Sequence, residues 1–168
     1  VFVAVSTLVF LVGASRLGTV CFALSPIALA IVFWYSLAKR VTSYTQLFLG
    51  LAMAVAPVGG WLAAGGGAAA AEPWLLGVAI GLWVGGFDVL YACQDLEFDR
   101  GYGLHSIPVR FGVSRSIRLS RAMHVAAVAA MAALGSLAHL PSLYLLGVVI
   151  VAALLFYEQS LVSDDDLS

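Results

Sequence analysis

The stretch Gly86-Phe-Asp-Val-Leu-Tyr-Ala-Cys-Gln-Asp-Leu-Glu-Phe-Asp-Arg100 carries an apolar helix straight into a group of carboxylates. Upstream it continues an apolar run from Trp74 that reads as membrane-spanning. Asp88, Tyr91, Asp95 and Asp99 are spaced 0, 3, 7 and 11, so a continuing helix puts all four on one face. A charge at the bilayer centre costs roughly 2.5–3.5 kcal/mol, so ionisable residues on such a helix face a cavity, a partner or an ion. Asp95 and Asp99, one turn apart, offer the hard oxygen ligands that suit Mg2+. That ion often takes only one or two carboxylates and completes its shell with water and substrate phosphate. The expectation is a chain that handles a phosphorylated substrate at a membrane surface.

Composition agrees with that class. Hydrophobic residues make up 62% and charged residues only 10%, far below the usual share in soluble domains. No basic patch of the nucleic-acid-binding kind is present. Six apolar segments can be drawn, at about Val1–Val12, Leu17–Leu37, Gln46–Ala64, Trp74–Tyr91, Ile117–Ala138 and Leu143–Tyr157. They are too long for barrel strands and lack alternation, so the expected fold is all-α, a polytopic transmembrane bundle of about six spans. Residues 1–168 are expected to form a single transmembrane domain, incomplete at both ends because the chain opens and stops without a clear boundary. The last segment, as drawn, is short enough to need tilt or a thinner bilayer.

Lys and Arg orient the bundle. Lys39, Arg40, Arg100, Arg110, Arg115, Arg118 and Arg121 fall in or beside two loops, whereas only Arg16 lies on the other side. By the positive-inside rule those two loops, and the acidic cluster with them, face the cytoplasm. Gly65–Ala71 is a small-residue turn on the outer side. Cys21 and Cys93 read as two buried small hydrophobes.

Several other residues are candidates for the site. Tyr35 and Lys39 are one turn apart at the end of the second span, and Lys39 with Arg40 supplies the cations a pyrophosphate would want. The interfacial aromatic belt and the positive-inside pattern explain the same residues equally simply. In the turn-rich loop Gly101–Gly112, His105 and Ser106 are positioned for phosphate contact or acid–base work, with Arg110 close behind. Gly77, Gly81 and Gly85 repeat every four residues, a stripe for close helix packing first and for a lipid-tail groove second. His124 and His139 have no second candidate ligand nearby, and Asp164–Asp166 reads as a solvated acidic segment.

Taken together, these residues resemble a known family. Tyr91-Ala-Cys-Gln-Asp-Leu-Glu-Phe-Asp99, with Gly103-Leu-His-Ser-Ile-Pro-Val-Arg-Phe-Gly112 after it, resembles the second aspartate-rich motif of the UbiA superfamily of membrane prenyltransferases. Tyr35-Ser-Leu-Ala-Lys39 resembles its Y-x-x-x-K element, and Ala56-Pro-Val-Gly-Gly-Trp61 its A-P-x-x-G/A-W segment. The resemblance extends to the 4-hydroxybenzoate polyprenyltransferases and the naphthoate prenyltransferases of menaquinone synthesis. It implies a multi-pass protein of the inner (plasma) membrane with its active site toward the cytoplasm. The implied reaction takes a polyprenyl group from its diphosphate to an aromatic acid. Departure of diphosphate leaves an allylic carbocation, which the electron-rich ring attacks.

By the same resemblance, Asp95 and Asp99 hold Mg2+. Asp88, Tyr91 and Lys39 fall on catalytic positions, and Tyr35, Lys39, Arg40, His105, Ser106 and Arg110 on the diphosphate side. The family's first aspartate-rich motif is absent from this chain and is expected in helices preceding Val1, so the chain alone is expected to be inactive. Tyr44-Thr45 stands where many 4-hydroxybenzoate enzymes carry Trp-Pro.

Two other classes fit the residues less well. A cation-coupled transporter would place its carboxylates near the midplane on broken helices, whereas these gather at one membrane face. A purely structural membrane subunit gives no reason for aligned acids opposite cations.

Overall fold

The computed structural model describes residues 1–162, and the acidic run Asp164–Asp166 lies outside the described residues. Eight helices follow in order among the described residues: α1 (Phe2–Arg16), α2 (Thr19–Ala38), α3 (Thr45–Ala63), α4 (Glu72–Gln94), α5 (Leu96–Gly101), α6 (Ile107–Phe111), α7 (Val113–Leu137) and α8 (Ser142–Leu161). No strand is present among these residues. Helices α2, α3, α4, α7 and α8 are long and apolar enough to cross a membrane. Helix α1, at 15 residues, covers only about 22 Å at 1.5 Å per residue.

Local chemistry sets the boundaries. Gly18 separates α1 from α2 at φ 124°, and Gly112 separates α6 from α7 at φ 81°, a region in which a side chain would be strained. Pro73 sits in the first turn of α4, where its missing N–H costs nothing, and Glu72 complements the helix dipole there. Pro26 inside α2 cannot donate to the Phe22 carbonyl; the Ser25 hydroxyl donates to it instead at 2.7 Å. Between α3 and α4 Trp61 Nε1 donates to the Gly67 carbonyl and Trp74 Nε1 to the Ala68 carbonyl, so two indoles tie down the glycine-alanine turn.

Helix α4 is the hub, packed on α3 along one side and α7 along the other. Its glycine stripe makes this possible. Gly81 and Gly50 on α3 approach so closely that a methyl on either would press on the other's carbonyl oxygen. Gly77 faces the Ala54 carbonyl in the same way, and Gly85 meets Met123 of α7 and the Gln46 carbonyl of α3. The expected packing role of the stripe is what the structure shows. On α7 the buried positions Ser116, Ile117, Ser120, Met123, His124, Ala127, Ala130 and Leu134 recur every three or four residues, the signature of one buried face.

Helix α8 runs further than its apolar core suggests, to Leu161, because α7 satisfies its polar end. Gln159 Nε2 donates to Ser120 Oγ at 2.9 Å and lies 3.0 Å from His124 Nδ1, while His124 Nε2 lies 3.2 Å from the Trp83 carbonyl. Arg121 Nη2 donates to the carbonyls of Gln159 and Val162, covering the C-terminus of α8. His124 is therefore a structural link between α4, α7 and α8. With 20 residues, α8 needs no thinned bilayer.

Substituting Gln159→Leu leaves Ser120 and His124 buried without this partner. The expected loss is about 1–3 kcal/mol, read as easier unfolding in a detergent titration. Unchanged stability would show that the three-helix polar link contributes nothing.

Candidate functional site

One end of the bundle gathers the end of α2, the start of α3, the end of α4, the short helices α5 and α6, and the start of α7. Main-chain bonds lock these pieces together. The last turn of α2 closes through the Arg40, Val41 and Thr42 amides, which leaves the Lys39 carbonyl open to accept the His105 amide at 2.8 Å. The next loop amide but one, Ile107 N–H, donates to Gln46 Oε1 at 3.2 Å, and Gln46 is almost wholly buried. Leu104 N–H donates to the Asp99 carbonyl at 2.8 Å. The loop that follows the acidic motif is thereby fixed against the lysine-bearing end of α2.

That arrangement brings two sequence elements 56 residues apart into one site. Lys39 Nζ lies 2.8 Å from Asp99 Oδ1 and 4.0 Å from Asp95 Oδ2. Asp99 is fully buried, whereas the Asp95 side chain is 62% exposed, so one carboxylate is sheltered and the other open to ligands. The Lys39–Asp99 contact is an ion pair off the hydrogen-bonding angles, and neither Asp99 carboxylate oxygen accepts a directed hydrogen bond. Asp88 is half-buried and close enough to Lys39, Asp95 and Asp99 to feel their charges, as Tyr35 is to Asp88 and Lys39.

One expectation is corrected here. The acidic residues do not ride one uninterrupted helix. Helix α4 ends at Gln94, Asp95 sits at the junction with φ −87° and ψ 6°, and α5 restarts at Leu96. The i to i−4 bonds Asp95 N–H to Tyr91 and Asp99 N–H to Asp95 still bridge the break. The turn keeps Asp95 outward while Leu96 and Asp99 enter the protein. The other expected residues take varied places. Tyr91 is exposed, with its ring edge on Phe87. Arg40 and His105 are exposed, and Ser106 is fully buried with its hydroxyl making no hydrogen bond to protein. The Arg110 guanidinium lies over the rings of Tyr44 and Phe111, at 5.4 and 5.2 Å from their centroids, where it staples α6 to the start of α3.

Below this polar end, α1 to α4 with Met123 of α7 border an open apolar cavity of about 840 Å3, lined also by Cys21, Ser25, Gly50, Gly77 and Gly81 among others. Its lining includes Ile31, one turn before Tyr35, and Leu47, next to Gln46. None of the charged residues lines it. The glycine stripe thus packs the helices and also borders open apolar space.

Among the described residues no three His, Cys, Asp or Glu side chains form a metal cage. The donor set still fits Mg2+, which needs few protein oxygens, and the buried Asp99 Oδ2 has no partner to give up. Sequence reasoning missed Gln46, a lone amide opening an apolar segment. Its polarity in that place is the signal that could have marked it.

The model of the UbiA prenyltransferase family matches residues 1–168 of the chain. A protein named 4-hydroxybenzoate octaprenyltransferase from Marinobacter nauticus is 34% identical over 131 residues, covering 78% of this chain and 44% of that one. Proteins of the same name from Pseudomonas putida and Aliivibrio salmonicida are 37% identical over 129 residues and 31% over 147 residues. They are covered over 41% and 50% of their lengths, against 70% and 87% of this chain. The chain thus spans half or less of these relatives. The apo structure of a UbiA homolog from Aeropyrum pernix K1 superimposes with a TM-score of 0.86 at 34% identity, over 94% of this chain and 60% of that one.

Proposed function

Because the chain belongs to the UbiA prenyltransferase family, we propose that its protein transfers a polyprenyl group from a polyprenyl diphosphate to an aromatic acceptor, with 4-hydroxybenzoate as the acceptor. The family membership sets the transporter reading aside. The observation that carries the proposal is the meeting of Lys39 with Asp95 and Asp99, a cation and two hard carboxylates at the mouth of an apolar bundle.

The residues divide the work. Asp95 and Asp99 would hold Mg2+, which when bound supplies positive charge to the departing diphosphate. Lys39 and Arg40 would hold the diphosphate oxygens, and the loop of His105 and Ser106, bonded to the Lys39 carbonyl, would add further contacts. Arg110, engaged with Tyr44 and Phe111, would hold the loop in place. Tyr35, near the end of α2, and Asp88 and Tyr91, near the end of α4, would serve the reaction beside that polar end. The apolar cavity offers the surface a prenyl chain needs, and a water-poor wall protects an allylic cation from hydrolysis. The site would face the cytoplasm of the inner membrane, and the skewed Lys and Arg distribution supports the cytoplasmic side.

The test is transfer of a radiolabelled prenyl diphosphate by the purified full-length protein in nanodiscs, offered 4-hydroxybenzoate or a dihydroxynaphthoate. Prenylated hydroxybenzoate that forms with Mg2+ and disappears with EDTA is the expected result. Product with the naphthoate alone would move the acceptor assignment to menaquinone-type chemistry, and no product with either would overturn the proposal.

A further inference from the structure

Lys39 sits in an unusual place for a residue whose task is to hold an anion. Its ammonium is 2.8 Å from the buried Asp99 carboxylate and 4.0 Å from Asp95, which is the space between the two carboxylates. A divalent cation shared by those carboxylates would have to occupy much the same space. Asp99 is fully buried and accepts no directed hydrogen bond, so its charge is balanced there by Lys39. The backbone of Lys39 is held by the His105 amide, but its side chain remains one-third exposed and flexible enough to turn away.

We infer that Lys39 is a resident counter-ion that competes with the divalent cation for Asp95 and Asp99 and is drawn off them by the diphosphate. The inference rests on the proposed metal and diphosphate roles of this site. Its consequence is coupling. Metal alone must displace an ammonium, and diphosphate alone must pull Lys39 from a buried carboxylate. Together each partner of the ion pair gains a new one, so the two ligands bind cooperatively. The device keeps the buried carboxylate neutralised before substrate arrives. It also ties metal loading to the presence of the anion whose departure the metal assists.

The competition predicts an effect opposite to that of simple support. The experiment is Mn2+ binding, followed by electron paramagnetic resonance at one pH. It uses the full-length protein in nanodiscs, with and without inorganic pyrophosphate. In Lys39→Met, Mn2+ alone is expected to bind about tenfold tighter, since a like charge a few ångströms away has been removed. The gain in Mn2+ affinity on adding pyrophosphate is expected to shrink by at least as much. Lys39→Arg keeps the charge and should behave like the wild type in the first measurement, which separates competition from a folding defect. Unchanged or weaker Mn2+ binding in Lys39→Met would overturn the inference while leaving the metal reading intact. Absence of saturable binding in the wild type, or binding indifferent to Asp95→Asn, would overturn both.

Discussion

Asp95→Asn is expected to lower prenyl transfer by roughly a thousandfold or more. The amide keeps the size of the side chain but loses the anionic oxygen that a hard cation requires. Charge stabilisation of a leaving group by a metal ion is worth several kcal/mol, and each ~1.4 kcal/mol is about tenfold in rate. Asp95 is the cleaner of the two aspartates to change, because its exposed side chain supports little of the fold. Asp99→Asn should be at least as damaging to turnover. Its burial against Lys39 adds a folding cost that must be measured separately. Glu97, an exposed acid on α5 between them, is the matched control, and Glu97→Gln should leave the rate within a factor of two or so. The measurement is turnover against Mg2+ concentration for the three variants, side by side. Wild-type rates in Asp95→Asn and Asp99→Asn would defeat the assignment of these residues to the metal.

The second large effect is structural. Gly50→Ala places a methyl on the carbonyl oxygen of Gly81, and that obstacle is backbone, which cannot swing aside as a side chain can. Helices α3 and α4 must separate along their closest seam. The cost is expected at or above the upper end of the roughly 1–3 kcal/mol typical of overpacking. Gly59→Ala, on the same helix, meets nothing within 4 Å. It should be neutral or slightly stabilising, since alanine is favoured over glycine in a helix by up to ~1 kcal/mol. Unfolding by denaturing detergent, monitored by circular dichroism, compares the two. Equal stabilities would show that the α3–α4 seam tolerates a gap and that the glycine stripe is not there for packing.

The sequence alone determined the class of the fold, because length and apolarity admit few structures in a bilayer. With no water to satisfy backbone groups, runs of about 20 apolar residues without alternation must be helices. It also determined the candidates at the polar end. Asp95, Asp99 and Lys39 carry charge next to apolar spans, a cost that singles them out whatever the packing. The glycine period of four on α4 likewise announced close packing, since only small residues let backbones approach so nearly.

What the tertiary structure decided was which of these charges meet, and how each is exposed. Helical periodicity treated Asp95 and Asp99 as equivalents on one face. A break at Asp95 left one an open carboxylate and made the other a buried counter-charge to Lys39. Periodicity is a property of a continuous helix and carries no information about where the helix stops. The buried roles of Gln46 and of the His124–Gln159 pair also depended on contacts 61 and 35 residues apart. A polar side chain in an apolar run costs energy without a partner, so the sequence could show that each needed one. Only the packing of α3 on the α6 loop, and of α7 on α8, supplied its identity.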